Sequence, residues 1–472
     1  MSSDLSNEKK HAGGQIIVVM VIFFLLMVVV TAWAVYYAIA NRVELFNNDS
    51  NPRETLLAER IDRGTIYAAD GSVLAENDES GTRVYPYGRV FAHVVGYSAM
   101  GGSGIEEYCK YDLLHSNVPF MEKVECDKEG VKYPGDNITT TLVPKLQQAA
   151  YDAMGYYEGA IIVTEVRTGK ILAMVSKPDY DPAYIARDWN FYLEEDDEGT
   201  LVNRATQGQY PPGSTFKIVD VVELLQEHPD ADTTYHFSCS GSFSQDGESI
   251  TCYDHDVHGE EDLTAAFANS CNSAFASIGL SLDRRDYMAT LKRLMFNGKL
   301  PYDLPYNTSK LDLTTDISTR EMIQVSIGQG TTQMSPLHLN MITSAVANHG
   351  VLMKPYLVDH RTDADGRLLD VRQPEEYGEL MSSEIAAKLR TYMRAVITDG
   401  TATVLRNQSY NAAGKTGSAE FNDELNSHSW FTGFAPAEDP KICVTCIIEG
   451  QGTGSRFAVP AAKVVFDAYF ND

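Results

Sequence analysis

A serine and a lysine three residues apart, Ser214 and Lys217, are the residues of this chain best suited to chemistry. A Pro-Pro-Gly run directly before the serine cannot continue regular structure, and the apolar run 218–225 after it predicts a buried helix. Ser214 is therefore expected at a helix N-terminus, where free backbone N–H groups favour negative charge. Residues at i and i+3 share a helix face, so the amine would lie beside the hydroxyl and could act as its base. A capping serine followed by a surface lysine is the alternative, and it is favoured for this pair taken alone.

Two further motifs favour the catalytic interpretation of Ser214 and Lys217. Residues 270–272 read Ser-Cys-Asn and are expected at a junction between helices, and residues 415–417 read Lys-Thr-Gly and are expected on a strand. The order Ser-x-x-Lys, Ser-x-Asn, Lys-Thr-Gly resembles the motif set of the serine penicillin-binding proteins and β-lactamases. Segments 327–330 and 430–436 also resemble transpeptidase domains, and the resemblance covers roughly residues 55–472.

The resemblance implies a class B penicillin-binding protein, a peptidoglycan D,D-transpeptidase of bacterial cell-wall synthesis that needs no cofactor for its chemistry. Its substrate would be a stem peptide ending in D-Ala-D-Ala, and β-lactams would acylate the same serine. An amine from a neighbouring stem would then resolve the acyl-enzyme and form a cross-link. The resemblance assigns catalytic roles to Ser214, Lys217, Ser270, Asn272 and Lys415, and substrate binding to Thr416, Gly417 and Ser418.

These implied roles place one demand on the lysine pair. Lys217 must be neutral to accept the serine proton, whereas a free lysine has a pKa near 10.4. Burial and the nearby charge of Lys415 would both lower the pKa of Lys217. Lys415 and Thr416 would bind the substrate carboxylate, and Gly417 would let the substrate backbone approach as an added strand.

Three other functions are weighed against cross-linking. A class A β-lactamase carries a Glu-x-x-Leu-Asn segment, and the sequence between Asn272 and Lys415 has none. A D,D-carboxypeptidase shares the motifs, but the anchor and the module before the catalytic domain fit a transpeptidase better. A penicillin sensor that is acylated without cross-linking carries a cytoplasmic signalling portion, and the few residues before the anchor leave no room for one.

Composition limits the partners. The 472 residues carry a formal net charge of −27, which argues against nucleic-acid binding and against electrostatic binding to anionic lipid. Residues 16–40 are almost wholly apolar, and as a helix they would span about 37 Å against about 30 Å of hydrocarbon. A cleaved signal peptide has a shorter apolar core, so a retained single-pass anchor is predicted. Lys9 and Lys10 favour a cytoplasmic N-terminus, with the rest of the chain outside the cell membrane.

The predicted organisation is a membrane anchor, a small β-rich module and an α+β domain in which helices pack on an antiparallel sheet. The small module, called the pedestal here, should contain a hairpin over residues 60–75, and Arg63 could pair there with Glu106. Because the chain lacks a predicted glycan-polymerising domain, the resemblance implies a membrane glycan polymerase of the shape, elongation, division and sporulation family as partner. The predicted segments are a cytoplasmic tail (1–15), the anchor (16–40), a linker with the pedestal (41–135) and the transpeptidase domain (136–472).

The seven cysteines raise a separate question. Cys239 and Cys252 flank a short polar loop, and Asp254 and His258 follow, which is a plausible zinc set with S, O and N donors. An extracellular Cys239–Cys252 disulfide is the competing interpretation, and two reduced thiols are the third. Cys271 is interpreted as a small buried residue.

Overall fold

The computed structural model describes residues 2–41, 53–420 and 427–471. The first helix, α1 (Ser2–Ala40), includes the predicted anchor. It begins earlier than predicted, since residues 2–15, assigned to a polar tail, are also helical. Within the described part of the chain, Ile16–Ala38 is the one helical stretch long and apolar enough to cross a membrane. Most of the predicted linker, 42–52, lies outside the described residues.

Seventeen α-helices lie in the described ranges. After the anchor they are α2 (Arg53–Arg60), α3 (Ala92–Val95), α4 (Gly104–Tyr108), α5 (Lys110–Leu113), α6 (Phe120–Glu129), α7 (Pro144–Met154), α8 (Ile185–Glu194), α9 (Lys217–Glu227), α10 (Ala231–Thr234), α11 (Leu263–Ala268), α12 (Asn272–Ser281), α13 (Arg284–Arg293), α14 (Thr319–Ser326), α15 (Pro336–Ala347), α16 (Ser383–Thr398) and α17 (Ala458–Phe470).

The described strands form six sheets. In chain order they are β1 (Ile61–Asp62), β2 (Ile66–Tyr67), β3 (Val73–Asn77), β4 (Arg83–Val84), β5 (Tyr133–Pro134), β6 (Asn137–Thr140), β7 (Gly159–Glu165), β8 (Ile171–Lys177), β9 (His236–Cys239), β10 (Ser242–Gln245), β11 (Glu248–Thr251), β12 (Gly259–Asp262), β13 (Val351–Met353), β14 (Val358–Thr362), β15 (Leu368–Val371), β16 (Glu376–Glu379), β17 (Ala413–Glu420), β18 (Ser427–Ala435) and β19 (Ile442–Ile448).

The pedestal and the domain after it share a sheet. The predicted hairpin is present as β2 and β3, and the six-stranded sheet has the order β15-β14-β6-β2-β3-β4. In its middle, β6 pairs in parallel with β2 of the pedestal and antiparallel with β14 of the later chain. The predicted boundary between the pedestal and the transpeptidase domain, between residues 135 and 136, is therefore bridged by backbone hydrogen bonds.

A buried ion cluster holds the pedestal together. Glu106 is fully buried, and its carboxylate oxygens accept hydrogen bonds from Arg63 Nε and Arg83 Nε, each at 2.7 Å. Burial opposes ionisation of Glu106, but the two guanidinium groups outweigh it and hold its pKa below the ordinary value. The predicted Arg63–Glu106 pair is thus part of a three-residue cluster inside the pedestal and not a surface contact.

The antiparallel sheet predicted for the larger domain has five strands in the order β17-β18-β19-β7-β8. Every residue of β8 and β19 is buried, so these strands need cover on both faces, which explains why their sequences do not alternate. Helices α7 and α17 pack on each other and on the sheet, and α15 contacts β7, β18 and β19. Because β17 is the edge strand, its free side faces the helices that carry the other two motifs.

Candidate active site

Ser214 lies in a single 3-10 turn, Gly213–Phe216, that leads directly into α9. An α-helical N-terminus was predicted, and the tighter turn arises where the Pro-Pro-Gly run gives way to α9. Gly213 has φ +55°, a left-handed value that favours glycine. The indole of Trp430, fully buried in β18, donates a hydrogen bond to the Pro211 carbonyl at 3.0 Å and fixes the approach to this turn. Ser214 itself is half-buried.

Lys217, at the start of α9, is fully buried. Its Nζ donates to the Ser270 carbonyl at 2.7 Å and to Asn272 Oδ1 at 2.8 Å, and it lies 3.3 Å from Ser270 Oγ. Burial lowers the pKa of Lys217 from its ordinary value to about 8. A lysine with this pKa is partly neutral near pH 7, and only the neutral amine can accept a proton as a general base.

The second motif lies between α11 and α12, as predicted. Ser270 adopts φ +60°, an uncommon left-handed conformation for a residue with a side chain. Two lysines hold it, because Ser270 Oγ accepts from Lys415 Nζ at 2.9 Å as well as contacting Lys217 Nζ. Asn272 also donates through Nδ2 to the Thr251 carbonyl at 3.3 Å. The strained backbone therefore places Ser270 between the two amines.

The third motif lies on β17, also as predicted. Lys415 is fully buried, and burial together with the positive charge of Lys217 lowers its pKa well below the ordinary value. Because both amines contact Ser270 Oγ, protonation of one disfavours protonation of the other. Burial is thus the main cause of the lowered pKa of Lys217. The predicted repulsion between the two lysines lowers the pKa of Lys415 instead.

A residue outside the three motifs contacts the third. Thr401 Oγ1 lies 2.5 Å from Thr416 Oγ1, and Thr401 follows Gly400 at the end of α16. A side chain on Gly400 would meet the Ala268 carbonyl at 2.2 Å, so the segment after α16 packs tightly against the end of α11. The segment between α16 and β17 thus touches the second and third motifs, and sequence analysis missed it because a Gly-Thr pair has no distinctive spacing.

The backbones of three segments meet behind Ser214. A Cβ on Gly417 would lie 2.9 Å from the Pro212 carbonyl, and a Cβ on Gly213 would lie 2.7 Å from the Ser418 carbonyl. A Cβ on Gly328 would lie only 2.1 Å from the Gly213 carbonyl. Gly417 therefore makes room for the nucleophile turn, in addition to the predicted approach of a substrate. The Ser418 hydroxyl accepts from the Gly454 N–H at 3.3 Å.

Gln329 adds a second contact that was not predicted. Its side-chain amide accepts from the Glu420 N–H at 2.9 Å and donates to the Glu420 carbonyl at 3.2 Å. It thereby pairs with the end of β17 as a neighbouring strand would. The Gly-Gln-Gly segment 328–330 was noted only for its resemblance, and its side-chain contact could not be read from spacing.

A cluster of four metal-binding side chains lies directly beside the second motif. The ligand atoms of Cys239, Cys252, His258 and Cys271 all lie within 4.8 Å of one another. Asp254, predicted as a ligand, is exposed and does not belong to this cluster, and Cys271 takes its place. That part of the prediction was wrong because Asp254 projects from a short turn after Cys252, whereas Cys271 reaches the cluster from the distant start of α12.

Strand pairing explains the cluster. β9 and β12 pair with Cys239 opposite Gly259, which brings the preceding His258 beside Cys239 at 3.4 Å from Nδ1 to Sγ. The polar loop between Cys239 and Cys252 is a hairpin of β10 and β11, and the Cys252 N–H donates to the Gly241 carbonyl at its base. Cys252 Sγ lies 3.7 Å from both Cys239 Sγ and Cys271 Sγ. All seven cysteines are free thiols in this structure.

Comparisons with known proteins agree with this geometry. Residues 159–468 match the family described as penicillin binding protein transpeptidase domain. The chain is 31% identical over 427 residues to peptidoglycan D,D-transpeptidase PbpA of Mycolicibacterium smegmatis, covering 82% of this chain and 84% of the relative.

Solved structures give the same result. The D,D-transpeptidase domain of a peptidoglycan glycosyltransferase from Eggerthella lenta has a TM-score of 0.77 at 32% identity, over 86% of this chain and 97% of that one. The ceftriaxone acyl-enzyme of penicillin-binding protein A from M. tuberculosis has a TM-score of 0.80 at 27% identity, over 88% and 99%. The three motifs, the sheet that carries the third of them and these similarities lead to one conclusion: the chain belongs to the penicillin-binding protein transpeptidase family.

Proposed function

We propose that this protein is a peptidoglycan D,D-transpeptidase that works through an acyl-enzyme on Ser214. The observation that carries the proposal is the pair of buried lysines, Lys217 and Lys415, which both contact Ser270 Oγ beside the nucleophile turn. The relative from M. smegmatis carries this activity in its name. The structure of penicillin-binding protein A from M. tuberculosis is an acyl-enzyme with a β-lactam.

In the first half-reaction, Ser214 Oγ attacks the carbonyl carbon of the penultimate D-Ala of a stem peptide. The hydroxyl proton passes to Lys217 Nζ, and an ester forms as the C–N bond to the last D-Ala breaks. The leaving nitrogen takes a proton delivered through Ser270 Oγ, which both lysines contact. Backbone N–H groups of Ser214 and Ser418 are the proposed oxyanion donors, each worth about 3–4 kcal/mol in the transition state.

The substrate carboxylate assists this step. Bound at Lys415 and Thr416, its negative charge would favour the charged form of Lys415. Because the two amines share a contact at Ser270 Oγ, a proton on Lys415 disfavours one on Lys217 and leaves Lys217 ready to accept. Substrate binding would thus set the protonation states that acylation requires.

In the second half-reaction, the amine of a neighbouring stem attacks the ester carbonyl. A peptide bond forms, the C–O bond to Ser214 breaks, and the proton lost by the amine returns to Ser214 Oγ. Attack by water in place of the amine would give a carboxypeptidase. The two outcomes therefore differ only in the acceptor.

A single assay separates the candidate activities. Full-length protein would act on glycan strands polymerised from lipid II by a separate polymerase, and the digested products would be resolved by mass spectrometry. Cross-linked dimers that require Ser214 support the proposal. Monomers shortened by one D-Ala would identify a carboxypeptidase, rapid turnover of benzylpenicillin a β-lactamase, and acylation without any turnover a sensor.

The anchor leads to a second proposal, on localisation and partner. α1 would hold the chain in the cell membrane with its N-terminus inside and the catalytic domain outside, where it would cross-link strands made by a polymerase of the shape, elongation, division and sporulation family. Replacing residues 16–40 by an unrelated membrane-spanning helix should weaken co-purification with that polymerase. Unchanged co-purification and polymerase stimulation after replacement of both the anchor and the pedestal would contradict the pairing.

We further propose that the four-residue cluster binds a structural zinc ion. Tetrahedral zinc with Zn–S bonds of about 2.3 Å has ligand sulfurs about 3.8 Å apart, close to the 3.7 Å separations at Cys252. Three thiolates and one imidazole are a common structural zinc set. Since Cys271 separates Ser270 from Asn272, the ion would fix the segment that holds Lys217.

Metal analysis tests the zinc proposal. Protein purified without chelator should contain one zinc per chain, Cys252→Ser should lose it, and Cys126→Ser, outside the cluster, should keep it. Removing the ion should lower the thermal midpoint and slow acylation together, since metal affinity is folding free energy. Absence of zinc with two fewer titratable thiols than seven would support the Cys239–Cys252 disulfide, and absence of zinc with all seven would support reduced thiols.

A further inference from the structure

A cavity of about 220 Å³ lies where the pedestal meets the six-stranded sheet. Tyr108 and Asp112 of the pedestal line one side, and residues of β14 and β15 line the other. No residue of the three motifs is part of its lining. The cavity is therefore separate from the active site, and its chemistry needs its own explanation.

The lining carries an unusual concentration of unsatisfied polar atoms. Of the thirteen buried side-chain N and O atoms without a hydrogen-bond partner in the described chain, four line this cavity: Tyr302 Oη, Tyr356 Oη, Arg361 Nε and Arg372 Nη2. Tyr302 and Tyr356 are only 7% and 5% exposed. Arg372 Nη2 lies within ion-pair distance of a carboxylate, whereas the two tyrosine hydroxyls and Arg361 Nε have no partner at all in the described chain. Each unpaired buried group costs about 1–3 kcal/mol, so a site with three of them in one place is expected to be filled.

The charges of the lining select a neutral occupant. The lining holds four aspartates, Asp112, Asp303, Asp359 and Asp370, together with His360, Arg361 and Arg372. Arg361 is paired with Asp112, Arg372 lies 3.5 Å from Asp303 Oδ2, and Asp359 is paired with Lys170, which lies outside the lining. A bound anion would meet these carboxylates, and a bound cation would meet the guanidinium groups. A neutral molecule with many hydroxyl groups avoids both conflicts, because each hydroxyl donates to a carboxylate and accepts from an N–H or a tyrosine.

Shape and apolar surface narrow the choice further. The volume is below the 300–1,000 Å³ or so of pockets for drug-sized ligands, which suits a single ring. Leu304, Pro355 and the ring of Tyr356 supply apolar surface beside the polar groups. A sugar ring has this combination of hydroxyl groups on its edge and C–H groups on its faces.

We propose that this cavity binds one sugar ring of a peptidoglycan glycan strand. The choice of glycan as the source rests on the proposed transpeptidase function, because the stem peptides that would reach Ser214 are attached to such strands. A sugar held between the pedestal and β14 would keep the strand alongside the protein while its stems are cross-linked. The two tyrosine hydroxyls have no partner within the described chain and would gain partners from the bound ring.

Saturation-transfer NMR tests the proposal on the full chain in lipid nanodiscs, where no sugar-headed detergent competes. The probe is the β-1,4-linked trimer of N-acetylglucosamine, with maltotriose as a sugar of similar size. Saturable transfer to the N-acetylglucosamine trimer is expected, and the Tyr302→Phe/Tyr356→Phe double variant should weaken this binding about tenfold. The variant removes hydroxyls that have no partner within the chain, so its thermal midpoint without sugar should be unchanged or higher.

Controls keep this test independent of catalysis. Tyr377→Phe, an exposed position on β16, should bind the trimer as the unmodified chain does, and benzylpenicillin acylation should be the same in all three proteins. Absence of saturable transfer would mean that water alone fills the cavity and would overturn the proposal. Binding that is unaffected by the double variant, or equal binding of maltotriose and the trimer, would also overturn it. Since acylation is read separately, failure of sugar binding leaves the transpeptidase proposal standing.

Discussion

Thr401→Val is the substitution that most directly tests how the site recognises a carboxylate. Valine has the shape of threonine without the hydroxyl, so the change removes the 2.5 Å contact with Thr416 Oγ1 and little else. When Thr401 donates to Thr416, the Thr416 proton is left free to point at a bound carboxylate, and hydrogen bonds in such a chain strengthen one another. A neutral hydrogen bond is worth about 0.5–1.5 kcal/mol, which corresponds to a loss of about two- to tenfold in carboxylate binding.

The assay compares benzylpenicillin with its methyl ester, which lacks the negative charge. Acylation is followed by stopped-flow competition with a fluorescent penicillin over a range of concentrations. For the acid, Thr401→Val should weaken apparent binding while the maximal acylation rate is retained. For the ester, the second-order rate constant should change by less than about twofold. Thr401→Ser, which restores the hydroxyl, should recover the behaviour of the unmodified chain.

Two results would refute this reasoning. If the acid and the ester lose reactivity equally, the Thr401 side chain acts on the fold of the site and not on the carboxylate. If neither changes, the contact with Thr416 has no role in binding. Thr403→Val, an exposed threonine in the next turn, is the matched control and should leave both reactions unchanged.

Three further predictions follow from the geometry. Ser214→Ala removes the nucleophile and Lys217→Arg replaces the base by a group that keeps its proton, so each should abolish covalent penicillin labelling in intact-mass spectra. Label that persists in either variant would contradict the assigned roles. Acylation should rise about tenfold per pH unit between pH 6 and 7 and level off above pH 8, because burial lowers the pKa of Lys217 to about 8 and only its neutral form accepts a proton; a rate that still rises steeply beyond pH 9 would indicate an unperturbed lysine. Glu106→Ala leaves Arg63 and Arg83 without their buried partner and should cost about 3–5 kcal/mol in denaturant unfolding, whereas a loss below about 1 kcal/mol would mean that the cluster behaves as an exposed pair.

The positions of the three motifs were predicted from the sequence. A Pro-Pro-Gly run before an apolar segment indicated the turn at Ser214 through backbone preferences that act within a few residues. The strand at Lys415 was also predicted, although its alanines and glycines do not favour a strand by themselves. The 3-10 form of the turn was not predicted, because the same residues are also compatible with the start of an α-helix.

Contacts between distant segments were harder to predict. Cys271 and Cys252 are nineteen positions apart in sequence, and only the pairing of β9 with β12 and the placement of α12 bring their sulfurs together. Asp254 was predicted as a ligand because it is near Cys252 in sequence, and this prediction was wrong. The Glu106–Arg63 pair was foreseen, but its burial and the second arginine depend on tertiary packing that a single sequence does not encode in any local pattern.

The close backbone contacts behind Ser214 bear on antibiotic resistance. A side chain on Gly213 or Gly417 would push the nucleophile turn away from the strand that carries Lys415, and a side chain on Gly328 would collide with the turn itself. Substitutions there would reduce reaction with a β-lactam and with the natural peptide alike, so a cell that depends on the enzyme gains nothing from them. Selection for resistance should therefore spare these glycines and act on side chains whose replacement excludes a drug without moving the backbone that performs the reaction.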